Sequence, residues 1–378
     1  MGKMKKLLAV LMAGAMMVSL AACSQEGGSG TGTKEPAKET TGQGKETTGQ
    51  GKETTGADLF DLANYKSSKD KSEWTIAVVT KDNTANWFKR MEIGVNEFGK
   101  ETGINVIQKG PANADAASQV QVIDDLINQG VDALCVVPID PGAIEASLKR
   151  AMEKGIVVIT HEASNQKNTL FDTEAFTAKA FGGALMDALA KDMGEQGKYA
   201  LMVAYTTSTT HMEYANAQKD RQLEAYPKME LINSGAVPSA ESEESIDKAY
   251  ERAKEILKSN PDLKGFTGVA STDCPGIAKA VEELGLDVKV VGVGTPNEFK
   301  PYVNSGTIST IKLWDPKDSG FVMCKVASMI LSGESIGEGT DLGIQGYNKI
   351  TIVKGDNNCI IGQADLTITK DNINDYDF

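Results

Sequence analysis

The sequence predicts an α/β protein of two lobes, and three observations carry that expectation. From Trp74 onward, short continuous apolar runs alternate with amphipathic segments, as buried parallel strands and their crossover helices do. Glycine recurs where a helix should stop and a strand begin, in Thr102-Gly103-Ile104, Gln129-Gly130-Val131, Lys154-Gly155-Ile156 and Leu284-Gly285-Leu286, the position of a left-handed helix cap. Finally, the roughly 300 residues after Trp74 exceed what one core usually holds, and the strands fall into two groups around residues 162–173. A cleft is therefore expected between two lobes.

In chain order, the expected strands cover residues 75–80, 105–108, 133–137, 156–160, 199–204, 230–234, 265–269, 288–293 and 307–313. Helices separate nearly all of them. In one helix Val120, Ile123, Leu126 and Ile127 share a face, while Asp124, Asp125 and Asn128 lie mostly away from it. Ligands of open parallel sheets bind beyond the carboxyl ends of the strands, so the loops there should hold the functional residues. Lys81, Asp82, Asn83, Trp87 and Phe88 follow the first strand, Asp140 the third, and His161 and Glu162 the fourth. The second group supplies Thr210, His211 and Glu213, then Ser271 and Asp273, and finally Trp314 and Asp315.

These residue types suit a small polyhydroxylated ligand. Indole faces cover carbon-bound hydrogens, and carboxylates, amides and a lysine pair with hydroxyls. Trp87 and Trp314 are expected to touch the ligand and Phe88 to pack beneath it. Replacing Trp314 by alanine should then weaken binding without unfolding the body. His161 and His211 are the two histidines of the chain, one from each group, and each could contact ligand or satisfy a backbone group. Neither belongs to a spaced ligand cluster, so no metal is expected, nor any cofactor.

Ahead of the body, Lys3, Lys5 and Lys6 precede an apolar run, residues 7–20, that is shorter than the roughly 20 residues of a membrane-spanning helix. The run closes on Leu20-Ala21-Ala22-Cys23, a small-residue cleavage site. Residues 1–22 read as an export signal, and residues 23–73 as a polar linker. The linker holds three copies of a seven-residue unit starting at Lys38, Lys45 and Lys52, with no apolar seam for a coiled coil. As a flexible tether, roughly 50 residues reach about 40 Å.

Without residues 1–22 the chain keeps 36 basic and 52 acidic side chains, a net charge of −16. Such a body does not seek nucleic acid or anionic lipid. Cys135, Cys274, Cys324 and Cys359 match no zinc spacing, and a body this large needs no staples. They are expected to be structural thiols.

Several stretches together resemble one family. Gly110-Pro111 leads into Ser118-Gln119-Val120-Gln121-Val122-Ile123-Asp124, followed by Leu148-Lys149-Arg150-Ala151-Met152. Thr295-Pro296-Asn297, Pro301-Tyr302-Val303, Leu313-Trp314-Asp315 and the closing Asp375-Tyr376-Asp377-Phe378 complete the set. From about Trp74 to Phe378 the chain resembles the type I periplasmic binding proteins of sugar ABC importers, especially the branch with rhamnose-binding proteins and autoinducer-2 receptors. The resemblance implies two Rossmann-like lobes joined by a three-strand hinge, with crossings near residues 162–164, 294–296 and 313–316. On that basis residues 74–163 and about 314–345 form an N-terminal lobe, and residues 164–313 and about 346–378 a C-terminal lobe.

It also implies a monomer that closes on one sugar or polyol and delivers it to an ABC transporter permease. The cleavage site resembles the bacterial lipobox, which implies a lipid anchor on Cys23 at the outer face of the cell membrane. Against the autoinducer-2 receptors, Lys81 matches the lysine after the first strand and Glu162 replaces an aspartate. His211 and Met212 replace an aspartate-glutamine pair, and a proline and an alanine fall near Val269 and Ser271. A monosaccharide or polyol is thus expected ahead of autoinducer-2. Ribose-type relatives carry a carboxylate after Val-Val-Gly, where this chain has Val293-Gly294-Thr295.

Two other classes share some of these residues. A secreted carbohydrate hydrolase would recruit His161-Glu162, but the chain has no Gly-x-Ser-x-Gly elbow, no His-Glu-x-x-His zinc helix and no phosphate-cradling Gly-Lys-Ser/Thr loop. A signalling receptor would use the same closure as a transport receptor. A repressor of this fold is excluded by the export signal and the lack of a DNA-binding headpiece.

Overall fold

The computed structural model describes residues 59–378; the expected signal, Cys23 and the three repeats lie outside the described residues. The first lobe begins with β1 (Thr75–Val79), α1 (Asn86–Thr102), β2 (Asn105–Lys109), α2 (Ala116–Gln129), β3 (Ala133–Val136), α3 (Pro141–Glu153), β4 (Val157–His161) and β5 (Phe171–Glu174). The second holds α4 (Ala178–Met193), β6 (Gln196–Val203), α5 (Thr209–Ala225), β7 (Lys228–Leu231), the one-turn α6 (Ile232–Gly235) and β8 (Ala240–Glu241). It continues through α7 (Ile246–Ser259), β9 (Leu263–Gly268), α8 (Asp273–Leu284), β10 (Lys289–Gly292), α9 (Pro296–Ser305) and β11 (Ile308–Leu313). The chain returns to the first lobe for α10 (Pro316–Ser332), β12 (Thr351–Lys354) and β13 (Asn358–Ile361), and ends its strands with β14 (Leu366–Thr369) in the second.

The first sheet runs β12-β13-β5-β4-β3-β1-β2 and the second β14-β11-β10-β9-β6-β7, with β8 beside β6. Pairing is parallel throughout except at β12 with β13 and β11 with β14. The expected two-lobed α/β architecture is the one observed. The apolar runs that predicted β1, β3 and β4 are buried along almost their whole length, covered by helices on both faces. Gly103, Gly130, Gly155 and Gly285 all take the positive φ of a helix cap, as their positions predict. Cys135, Cys274, Cys324 and Cys359 are buried thiols.

Both lobes have helix pairs that meet at a glycine. A side chain at Gly94 on α1 would collide with the Lys317 carbonyl on α10, and one at Gly182 on α4 would reach the Tyr214 carbonyl on α5. Neither site has room for a Cβ, so backbones pack directly there.

Three boundaries differ from the sequence expectation. The crossings between sheets lie at residues 175–177, 314–315 and 362–365, so only the one after β11 was anticipated. The switch expected at 162–164 is displaced because β5 still pairs with β4 in the first sheet, and residues 294–296 join β10 to α9 within the second lobe. The tail expected wholly in the C-terminal lobe is split: β13 pairs with β5, and β14 pairs with β11. The linker also ends earlier than residue 73. Leu59, Tyr65 and Trp74 are buried, the Tyr65 hydroxyl donates to the Leu59 carbonyl, and the Ser67 amide donates to Leu331 on α10. These apolar anchors fasten residues 59–73 to the body.

Candidate functional site

The carboxyl ends of β1 and β4 place Lys81 and Glu162 face to face, Nζ to Oε2 at 2.6 Å. A second carboxylate, Glu244, reaches the same ammonium from the opposite lobe at 3.7 Å. Lys81 and Glu162 are buried, and the Glu244 side chain is 9% exposed. Burial opposes charge on Glu162, but Lys81 overrides it and holds the carboxyl down at about 2. Burial dominates at Glu244, whose carboxyl rises to about 7 in spite of Lys81. The Lys81 ammonium is pulled down by burial and up by Glu162 and then Glu244, with a net upward shift. The lysine is thus a charged hub with one firm and one exchangeable carboxylate.

Glu162, Glu243 and Glu244 adopt φ values of 60°, 55° and 52°. A non-glycine residue in this left-handed region is strained, and such strain gathers where surrounding structure fixes a side chain for use. His211, at the start of α5, lines the same chamber, with Nδ1 lacking a partner. Burial, reinforced by Lys81, pushes its imidazole down to about 3, so it is neutral at pH 7. Trp87 and Trp314 cover the chamber, meeting edge to face with ring centroids 4.9 Å apart. Phe88, Val269, Ser271 and Val293 complete the wall.

This inner chamber has a volume of ≈ 20 Å³, space for about one water and far below the ~300 Å³ of a small-molecule site. Outside it, a cleft of ≈ 830 Å³ opens between the lobes, lined by Asp82, Asp115, Glu243, Asp247 and Glu298 among others. Polar pairs cross this mouth: Asn86 Nδ2 to Glu298 at 2.8 Å, and the Tyr205 hydroxyl to the Ala114 carbonyl at 3.0 Å.

Of the residues expected at the site, Lys81, Trp87, Glu162, His211, Ser271 and Trp314 converge on the chamber. The others do not. Asp82 accepts from the Thr84 and Ala85 amides and faces the outer cleft, and Asn83 is exposed. Asp140 caps α3 through the Gly142 and Ala143 amides. Asp315 caps α10 and holds Arg90 through two hydrogen bonds of 2.9 and 2.6 Å. Asp273 is enclosed by the Ser242 hydroxyl and the Val269 and Ala270 amides. His161 lies beneath the chamber and donates from Nδ1 to the Thr173 carbonyl at 2.5 Å. Thr210 and Glu213 line a different cavity.

Trp314 departs from expectation in another way. It is 3 % exposed and packs against His161, Phe176, Phe181 and Tyr214 as well as Trp87. It is a core residue with one edge in the chamber, so its removal is expected to cost stability as well as change the site. Glu244 was missed by sequence reasoning: β8 ahead of it has two residues, too few for any periodic signal.

Among the described residues no group of three or more His, Cys, Asp or Glu is placed to hold a metal ion, and no helix is long and apolar enough to cross a membrane.

Residues 76–335 match the family described as periplasmic binding protein domain. The D-ribose/D-allose-binding protein of Pseudomonas aeruginosa is 26% identical over 278 residues, 69% of this chain and 83% of that protein. The ribose import binding protein of Bacillus subtilis is 23% identical, over 72% of this chain and 87% of its own length. Among solved structures, LsrB from Clostridium saccharobutylicum in complex with AI-2 aligns with a TM-score of 0.72 at 25% identity, covering 80% of this chain and 100% of that one. An ABC transporter solute-binding protein from Clostridium phytofermentas with bound L-rhamnose aligns with a TM-score of 0.74 at 22% identity, covering 80% and 98%.

Proposed function

The chain belongs to the periplasmic binding protein domain family, and on that premise we propose that it captures a small sugar or polyol between its lobes and delivers it to an ABC importer. The observation that carries this reading is the Lys81 hub, whose carboxylate partners come from both lobes. A polyol hydroxyl both donates and accepts, so one ligand can bond Lys81, Glu162 and Glu244 together and favour closure. Trp87 and the edge of Trp314 supply apolar surface against which a sugar ring can pack.

The family is extracytoplasmic, and the lipobox-like Leu20-Ala21-Ala22-Cys23 supports a lipid anchor on Cys23 at the outer membrane face, with the repeats as tether. The likeness to LsrB and the retained Lys81 favour a second ligand, AI-2. His211 and Met212, in place of an aspartate and a glutamine, weigh against it.

A thermal-shift and calorimetric screen of pentoses, hexoses, deoxysugars, polyols and autoinducer-2 tests the proposal. A micromolar ligand at hundredfold excess over its Kd adds about 2.7 kcal/mol of stability. If no small hydrophilic solute moves the melting temperature, the reading is wrong; recovery of a chemically altered sugar would turn it toward hydrolysis.

A further inference from the structure

Phe176 and Tyr214, which pack on Trp314, also line a second cavity of ≈ 300 Å³, at the lower edge of the size that small-molecule sites take. Both lobes build it. Glu174 at the end of β5 and Asn357 between β12 and β13 come from the first lobe, Thr210, Glu213 and Tyr214 on α5 from the second. The crossing at residues 175–177 forms one wall.

Four side chains lining this cavity are at least nine-tenths buried, yet each keeps a polar atom without a partner: Glu174 Oε1, Thr210 Oγ1, Tyr214 Oη and Asn357 Oδ1. The Asn357 orientation is fixed, because its amide nitrogen donates to the Ala163 and Gln166 carbonyls, leaving Oδ1 as an acceptor. Glu213 stands half-buried at the rim, holding the Ser164 hydroxyl of the other lobe at 2.6 Å. No lysine, arginine or histidine lines the cavity, while Phe176, Val353 and Ile361 give it an apolar side. An acceptor-rich, carboxylate-bearing pocket with aromatic walls calls for a donor with positive charge and an alkyl body.

We propose that this hinge-side cavity binds a small organic ammonium, with its N–H groups on Glu174, Asn357 and Glu213 and its carbon chain on Phe176 and Ile361. Because its walls belong to both lobes, occupancy biases the lobe angle and so couples to solute capture in the main cleft. The groups facing Glu174 are Asp172 on its own strand, Glu162 after β4, Glu213 and Tyr214 on α5, Tyr347, and Cys359 on β13. None is cationic. Burial, then Asp172, pushes the Glu174 carboxyl well above its usual range, so a bound ammonium displaces a proton from it and binds more tightly as pH rises toward the amine's own pKa.

The test is isothermal titration of the full-length protein with 1,4-diaminobutane, using butane-1,4-diol as the neutral match. The expected result is saturable diamine binding, with a heat that depends on buffer ionisation enthalpy, and no binding of the diol. Glu213→Gln and Glu174→Gln should each weaken the diamine roughly tenfold or more. Glu213 is only half-buried, so its variant is informative even where Glu174→Gln fails to fold. Equal binding of the diol, absence of saturable diamine binding, or binding unchanged by Glu213→Gln overturns the proposal. So does binding lost on Glu244→Gln, which would place the amine in the acidic cleft instead.

Discussion

At the mouth of the cleft the lobes meet through Asn86 with Glu298 and Tyr205 with Ala114, whereas at the crossing strands they meet through Trp314 against Phe176, Phe181 and Tyr214. The first set trades its hydrogen bonds for water when the lobes part, at a net change of about 1 kcal/mol per bond. The second would expose aromatic surface, at about 25 cal/mol for each Å². Opening is therefore expected at the mouth, with the aromatic cluster as its pivot. Lys81 lies between the two regimes, buried like the cluster and paired like the mouth.

Replacing Trp314 by alanine breaks this contrast from the apolar side. Loss of a buried tryptophan should lower stability by about 3–5 kcal/mol, read as a lower midpoint in urea denaturation. A loss under about 1 kcal/mol would show that the cluster does not hold the pivot. Lys81→Met tests the charged side and leaves two buried carboxylates without their cation. Removing one partner of a buried pair costs about 3–5 kcal/mol, and the lower end is expected because Glu244, at about 7, readily takes a proton. Adding Glu162→Gln should recover much of the loss; if it does not, the ion pair is not its source.

The smallest effect sharpens the comparison through pH. Glu244, with a folded value of about 7 against an ordinary 4.5, contributes stability that is full below pH 4.5 and lost as pH rises through 7. His211, at about 3 against 6.5, does the opposite: its contribution is full above pH 6.5 and lost as pH falls toward 3. Between pH 4.5 and 6.5 the two slopes oppose each other. Glu244→Gln removes one of them, so over that interval stability should climb by about 2 kcal/mol relative to the unmutated protein. Chemical denaturation at several pH values reads this directly, and an unchanged profile would mean that Glu244 is not buried with Lys81.

The same contrast governs what was legible in the sequence. Strands β1, β3 and β4 announce themselves because their residues are apolar and buried on both faces. β5 does not, since Asp172 and Glu174 interrupt its pattern; Asp172 is accommodated by the Thr160 hydroxyl and the Ala163 amide. Misreading β5 displaced the first crossing and, with it, the assignment of β13. At the site, strand ends correctly indicated Lys81 and Glu162. They could not separate a carboxylate facing ligand from one capping a helix, although Asp140-Pro141 and Asp315-Pro316 carry the cap-then-proline signal that identifies the latter. Glu244 was invisible because the two-residue β8 that leads into it carries no periodic signal.

The pairing of β13 with β5 joins residues far apart in the chain; Cys359 and Asp172, in contact there, are separated by 187 positions. Until that late segment arrives, β5 presents an unpaired edge, and the first sheet cannot be completed from its own contiguous sequence. Contacts so distant form slowly. Both sheets therefore depend on the return of the chain: β13 completes the β5 edge of the first, and β14, later still, completes the β11 edge of the second.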